Sequence, residues 1–209
     1  DEIAKLGRPL DICIANAGTM ALPKLEQITG IEKQFATNHL RHFLLVRLLQ
    51  GQIEAARSAR VVIVSSAAHL QAPAAGIEFD NLSGERSYGA WRAYGQSKLA
   101  NILFAKALAE RLGGRRAVNA LHPGVIGTNL GRHMNPLVAG VLGVAMRMFS
   151  KSVAQGAATT CYVAARPEAG TLTGQYFSDC AVTEPSRMAR DEKLAERLWQ
   201  TSEQLTGLA

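Results

Sequence analysis

The chain of 209 residues predicts an open α/β fold, a parallel sheet with helices packed on its faces. Three observations carry that expectation. Residues 10–18, 60–66 and 118–124 are short apolar runs without alternation, the pattern of strands covered on both sides. Helix-length stretches, roughly 30–50 and 91–112, separate them, so strand and helix alternate along the chain. Each run closes in turn or polar residues: Asn16-Ala17-Gly18, Ser65-Ser66 and Pro123-Gly124. In open α/β sheets ligands bind beyond the carboxyl ends of the strands, so these closures mark one candidate rim.

Taken in order, the helix over 91–112 is the most informative element. It has few breakers and an apolar face of Leu99, Ile102, Leu103, Ala107 and Leu108. Tyr94 and Lys98 stand four apart and so share a helical face. An ammonium beside a phenol favours the phenolate and would lower its pKa from about 10, which suits a general acid/base. Spacing alone is weak support, since Tyr and Lys share a helical face by chance. Farther on, 153–165 reads as a helix and 174–177 as a last strand. Residues 193–205 form an amphipathic helix with Leu194, Leu198 and Leu205 on or near one face, and Trp199 is expected at its flank, partly exposed.

The ordered set is more specific than any member. Asn16-Ala17-Gly18, Asn38, Ser66, Tyr94-x-x-x-Lys98 and Pro123-Gly124-x-x-x-Thr128 follow one another, with Asp80-Asn81-Leu82 and Ser97-Lys98-Leu99-Ala100-Asn101 between. In this the chain resembles the short-chain dehydrogenase/reductase family over nearly its whole length. It is most similar to the branch containing retinol dehydrogenases, the WW-domain oxidoreductase and protochlorophyllide reductase. The 28-residue step from Ser66 to Tyr94 is longer than the family usually shows.

The resemblance implies a Rossmann-like, doubly wound parallel sheet and an oxidoreductase that moves hydride between nicotinamide and a carbonyl or alcohol carbon. The cofactor implied is NADP or NAD, with the branch favouring NADP. It implies catalytic roles for Tyr94 as acid/base, Lys98 as its tuner and ribose partner, Ser66 as the group holding the substrate oxygen, and Asn38 in a proton relay. Ser65 is a near rival of Ser66, and Asn38 also reads as a structural asparagine. Cofactor contacts are implied at Asn16, Ala17, Gly18, Tyr94, Lys98, Pro123, Gly124, Val125 and Thr128. Bare turn and sheet-support roles compete at the Asn-Ala-Gly and Pro-Gly closures.

One departure stands out. The family opens with a strand, a Thr-Gly-x-x-x-Gly-x-Gly turn and a helix, which let backbone N–H groups approach the pyrophosphate. Nine residues precede Leu10 and none of that fingerprint is present. The expectation is one partial domain over 1–209 that lacks the N-terminal βαβ portion. A catalytically inactive scaffold acting as a binding or interaction protein is the alternative.

Composition narrows the partners. Lys and Arg number 23 against 17 Asp and Glu, a net +6, but the arginines are scattered without interleaved aromatics, so nucleic acid is not expected. Cys13, Cys161 and Cys180 have neither pairing number nor CxxC spacing, which reads as reduced thiols and a cytoplasmic setting. His39 and His42 are three apart but lack an acidic or Cys partner, and His69, His122 and His133 are dispersed, so no metal is expected. The longest apolar stretch, 137–148, is too short to span a bilayer and carries Arg147. Residues 129–152 are expected to cover the substrate. Their Met, Leu and Val content suits an apolar carbonyl or alcohol, or else a lid packing on its own core or docking to a membrane surface. The resemblance also implies self-association through the Tyr94 helix and its predecessor.

Overall fold

The computed structural model describes residue 5, residues 7–124 and residues 152–208. The expectations for Val125, Thr128 and nearly all of 129–152 therefore lie outside the described residues.

A five-stranded sheet organises the molecule. Its strands are β1 (Ile12–Ala15), β4 (Arg60–Val64), β5 (Ala117–His122), β6 (Tyr176–Ser178) and β7 (Ala181–Val182), in the order β1-β4-β5-β6-β7. The first four run parallel, and β7 folds back antiparallel on β6. Register places Ala15 beside Ile63 and Ile63 beside Ala120, so β1, β4 and β5 reach their carboxyl ends nearly level. The segments carrying Asn16, Ser66 and Pro123 therefore leave the sheet at one rim, as expected.

The stretch read as a helix over 30–50 divides. Gln27–Ile28 and Ile31–Glu32 form a two-residue hairpin, β2 and β3, turned by Thr29 and Gly30 at φ of 51° and 79°. The helix begins only at Lys33, where the Glu32 carboxylate accepts the Phe35 N–H. It runs as α1 (Lys33–Phe35), a π turn (Ala36–Leu40) and α2 (Arg41–Leu48), followed by α3 (Gln50–Ala55). The long helix is α4 (Ala90–Arg111), close to its expected bounds, and α5 (Val153–Ala165) and α6 (Glu192–Thr206) complete the set. Ser152 and Gln155 form a capping box at the start of α5.

Successive strand residues face opposite sides of the sheet. Cys13, Ala15, Val61, Ile63, Val118 and Ala120 join the large core beneath α2, α4 and α6. Val62, Val64, Leu121 and Phe177 meet Val163 and Ala164 of α5 on the other side. The sheet is thus covered on both faces, but β1 departs from the full burial expected of it. Ile12 and Ile14 are 45% and 43% exposed.

Trp199 also departs from expectation, being 5% exposed. Its ring stands edge-on to Phe43 at 5.0 Å, with the guanidinium of Arg111 at 4.0 Å and that of Arg47 at 4.8 Å. Two distant helices thus clamp a side chain that the pattern of α6 alone would leave at the margin.

Candidate active site

Each side chain at the rim is placed by an element built for it. At the end of β4, the Ser65 hydroxyl donates to the Lys98 carbonyl at 2.6 Å, which commits Ser65 to bracing α4. Ser66 follows in extended conformation (φ −163°, ψ 155°) and caps a 3-10 turn (Ala67–Gln71), its Oγ accepting from the Ala68 N–H at 3.2 Å. The same hydroxyl lies close enough to the Tyr94 phenol to favour its ionised form. Ser65 is thus committed to α4, and Ser66 is the serine that acts on the tyrosine's pKa.

Tyr94 and Lys98 lie on one face of α4, with the Lys98 Nζ 5.7 Å from the Tyr94 ring centre. Both are buried. The ammonium donates to the Val64 carbonyl at 3.1 Å, and burial pulls its pKa down to about 8. The phenol moves the other way. Burial raises it, and the nearby Ser66 hydroxyl only partly offsets the rise. The expectation that Lys98 holds the phenol below its ordinary range is therefore not met in the protein by itself. Loss of water around the phenolate outweighs a cation that points to a carbonyl.

Asn38 sits in the π turn, a local widening common at functional positions. Its Oδ1 accepts the Thr19 N–H at 2.8 Å, and its Nδ2 donates to the Thr19 carbonyl and the Ser97 Oγ, both at 2.9 Å. Ser97 in turn donates to the Tyr94 carbonyl at 2.7 Å. Asn38 thus staples the loop after β1 to the turn of α4 that carries Tyr94. Gly18 lies against this staple. A Cβ there would stand 3.0 Å from the Asn38 Oδ1 and 3.7 Å from the Lys98 Nζ, so the missing side chain opens the approach to the ammonium. Asn16 and Ala17 are exposed at the tip of β1, and Pro123 and Gly124 are half-buried at the tip of β5.

Sequence reasoning missed several participants. Gly95 lets α4 touch the 3-10 turn backbone to backbone, since a Cβ would fall 2.6 Å from the Ala68 carbonyl oxygen and 2.8 Å from the Ala72 nitrogen. Asn101 donates to the same Val64 carbonyl as Lys98, at 3.0 Å. His42, one turn beyond Asn38, is buried and pushed down to about 4 by burial and by the neighbouring Lys98. Only the i, i+3 and i, i+4 offsets from Asn38, Tyr94 and Lys98 hinted at these residues. Among the described residues, no group of three or more His, Cys, Asp or Glu side chains could hold a metal ion.

A family profile described as short chain dehydrogenase matches residues 1–138. Short-chain dehydrogenase TIC 32 A, chloroplastic, of Brassica napus is 45% identical over 209 residues, covering 96% of this chain and 65% of that protein. Retinol dehydrogenase 14 of Homo sapiens is 43% identical over 202 residues, covering 95% of this chain and 59% of that protein. The chain therefore spans less than two thirds of the length of these relatives. Among solved structures, an uncharacterized protein from Mycobacterium paratuberculosis superposes with a TM-score of 0.75 at 31% identity, over 99% of this chain and 70% of that one. The Pseudomonas aeruginosa RhlG/NADP active-site complex gives 0.60 at 26% identity, over 84% and 67%.

Proposed function

Because the chain belongs to the short-chain dehydrogenase family, we propose that it carries the proton-transfer centre of an NAD(P)-dependent oxidoreductase acting on a carbonyl or alcohol. One observation supports this above the others: the Lys98 ammonium is buried 5.7 Å from the Tyr94 ring at the strand tips, where the Ser66 hydroxyl acts on the phenol. In the reducing direction Tyr94 gives its proton to the substrate oxygen, and in the oxidising direction it takes one. Ser66 holds that oxygen by a hydrogen bond as charge develops on it. Asn38 keeps the loop of Gly18 and the turn of Tyr94 in register.

The residues present fit the ribose end of a nicotinamide cofactor. Lys98 has three donors, its bond to Val64 uses one, and the approach past Gly18 lacks a side chain. When bound, the cofactor supplies or accepts the hydride. Asn16, Ala17, Pro123 and Gly124 line the same rim, and Val125 and Thr128 are assigned with them from the sequence. The NADP carried by the RhlG complex agrees with the choice of cofactor class. An apolar substrate rests on the composition of 129–152, and the retinol dehydrogenase relative is consistent with it. A reducing compartment such as the cytoplasm rests on the three free thiols, although the Brassica napus relative is named chloroplastic. No helix among the described residues is long and apolar enough to cross a membrane. Self-association through α4 would have to displace α6, which packs along it.

Titration with NADPH and with NADH, followed by turnover of apolar aldehydes at 340 nm, tests the proposal. Tyr94→Phe is expected to lower turnover by about 10²–10⁴-fold and leave cofactor affinity within about twofold. Unaltered turnover removes Tyr94 from the acid/base role. Absence of binding by either nucleotide favours an interaction protein on this scaffold.

A further inference from the structure

His69 lies three residues beyond Ser66, in the 3-10 turn that Ser66 caps, and the residue is 4% exposed. The Ser66 carbonyl accepts twice from it, from the backbone N–H at 3.1 Å and from the ring Nδ1 at 2.8 Å. The far side of the ring is also committed, because Nε2 stands 3.1 Å from the backbone nitrogen of Ser186. A carbonyl at Nδ1 requires a proton there, and an N–H at Nε2 requires a lone pair. The two partners therefore define a neutral imidazole in a single tautomer. The ring also stands edge-on to Tyr176 at 5.3 Å, which fixes its plane.

Ser186 belongs to the far end of the chain. It follows β7 and caps a 3-10 turn (Arg187–Arg190) that leads directly into α6. Met188 of that turn and Leu194 of α6 close over Gly76. The other side of the Ala67–Gln71 turn is pressed against the bare backbone of α4 at Gly95. The turn is thus held between the helix of Tyr94 and the segment of Ser186, with His69 as its polar tie to the second.

We propose that His69 is a positioning residue for Ser66, its ring binding the Ser66 carbonyl on one side and the Ser186 backbone on the other. The segment entering α6 thereby sets where the Ser66 hydroxyl stands against Tyr94. This rests on the reading of Ser66 and Tyr94 given above and extends it to a residue that touches neither substrate nor cofactor. The catalytic requirement is geometric, since an oxygen-holding hydroxyl displaced by a fraction of an ångström loses its alignment with the phenol.

Two variants separate positioning from bulk. His69→Phe retains the ring on Tyr176 and removes both polar contacts, whereas His69→Asn restores a donor near the Nδ1 position. In the intact protein, His69→Phe is expected to lower kcat about tenfold or more with KM for cofactor within about twofold, and His69→Asn to recover most of that loss. Equal losses in the two variants, or none in His69→Phe, overturn the proposal.

A readout without turnover keeps this distinct from the oxidoreductase reading. Tyr94 labelled with ¹³C at Cζ, assigned by Tyr94→Phe, reports the phenol titration by NMR. His69→Phe is expected to move that titration upward as the Ser66 hydroxyl shifts away from the phenol, and to speed hydrogen exchange of the Ser186 amide about tenfold or more. An unmoved Tyr94 titration overturns the positioning role even if the protein never binds a nucleotide. A wild-type ring carrying its proton on Nε2 at neutral pH overturns the geometry itself.

Discussion

The two halves of α4 are equally buried and opposite in character. From Tyr94 to Asn101 the helix hides a phenol, two amides, a hydroxyl and an ammonium, and from Ile102 to Ala109 it hides mostly aliphatic and aromatic carbon. In the second half, removal from water stabilises, at roughly 25 cal/mol per Å² of apolar surface. In the first half, the same removal moves protons, pulling Lys98 down and raising Tyr94. One helix thus holds a stabilising end and a reactive end, and only the neighbours of each residue decide which it is.

The largest expected effect tests the stabilising end. Trp199→Ala should destabilise the fold by about 3–5 kcal/mol in urea unfolding, because it removes the ring held among Phe43, Arg47 and Arg111. The Tyr94 titration in the folded variant should stay put. If it moves, the two halves are coupled and the contrast fails.

The reactive end should respond with the opposite sign. Lys98→Met keeps a long side chain, removes a buried charge and leaves Val64 its bond from Asn101. The sign follows from the lowered pKa. Between about 10.5 and about 8, the unfolded chain takes up a proton before the folded one does, so stability falls as pH drops through that window. At pH 7 the whole penalty is present, and Lys98→Met should stabilise by about 3 kcal/mol while losing turnover. A variant that melts earlier than wild type at pH 7 would show that the ammonium's bond to Val64 outweighs its burial.

The last effect is spread over pH and comes from a histidine of the π turn and one at the start of α2. His39 and His42 are held neutral by burial, at about 3 and about 4. Their contribution is complete above about pH 6.5 and is lost as pH falls toward those values, since the unfolded chain binds both protons first. Unfolding free energy should fall between pH 6 and 4.5 with a slope approaching about 1.4 kcal/mol per pH unit for each proton. His42→Leu should remove one proton's share of the slope. An unchanged slope means His42 is already protonated in the folded protein.

The legible parts of the molecule were those written in runs and offsets. β1, β4 and β5 follow from apolar runs closed by turn residues, and α4, α5 and α6 from their periodicity and low breaker content. Tyr94, Lys98, Ser66 and Asn38 meet because motifs at strand ends share a rim, although their roles came from resemblance and not from the pattern. The π turn was not legible, since Ala36-Thr37-Asn38-His39-Leu40 carries no signal that separates a five-residue bond ladder from a four-residue one. Trp199 was misplaced because its cover, Arg47 and Arg111, comes from helices far away in sequence. The direction of the Tyr94 shift was misjudged because spacing reports a neighbour's charge but not how much water surrounds the pair. His69 looked like one more dispersed histidine, since its partner Ser186 lies 117 residues on.

The uncovered side of β1 has a consequence at the bench. Among the described residues β1 pairs only with β4, and an edge strand flanked by two half-exposed isoleucines is a template for an extended chain. Charged residues in place of Ile12 and Ile14 are therefore expected to raise the concentration at which the isolated polypeptide stays monodisperse. A soluble preparation will depend on what is offered to that ribbon before another copy finds it.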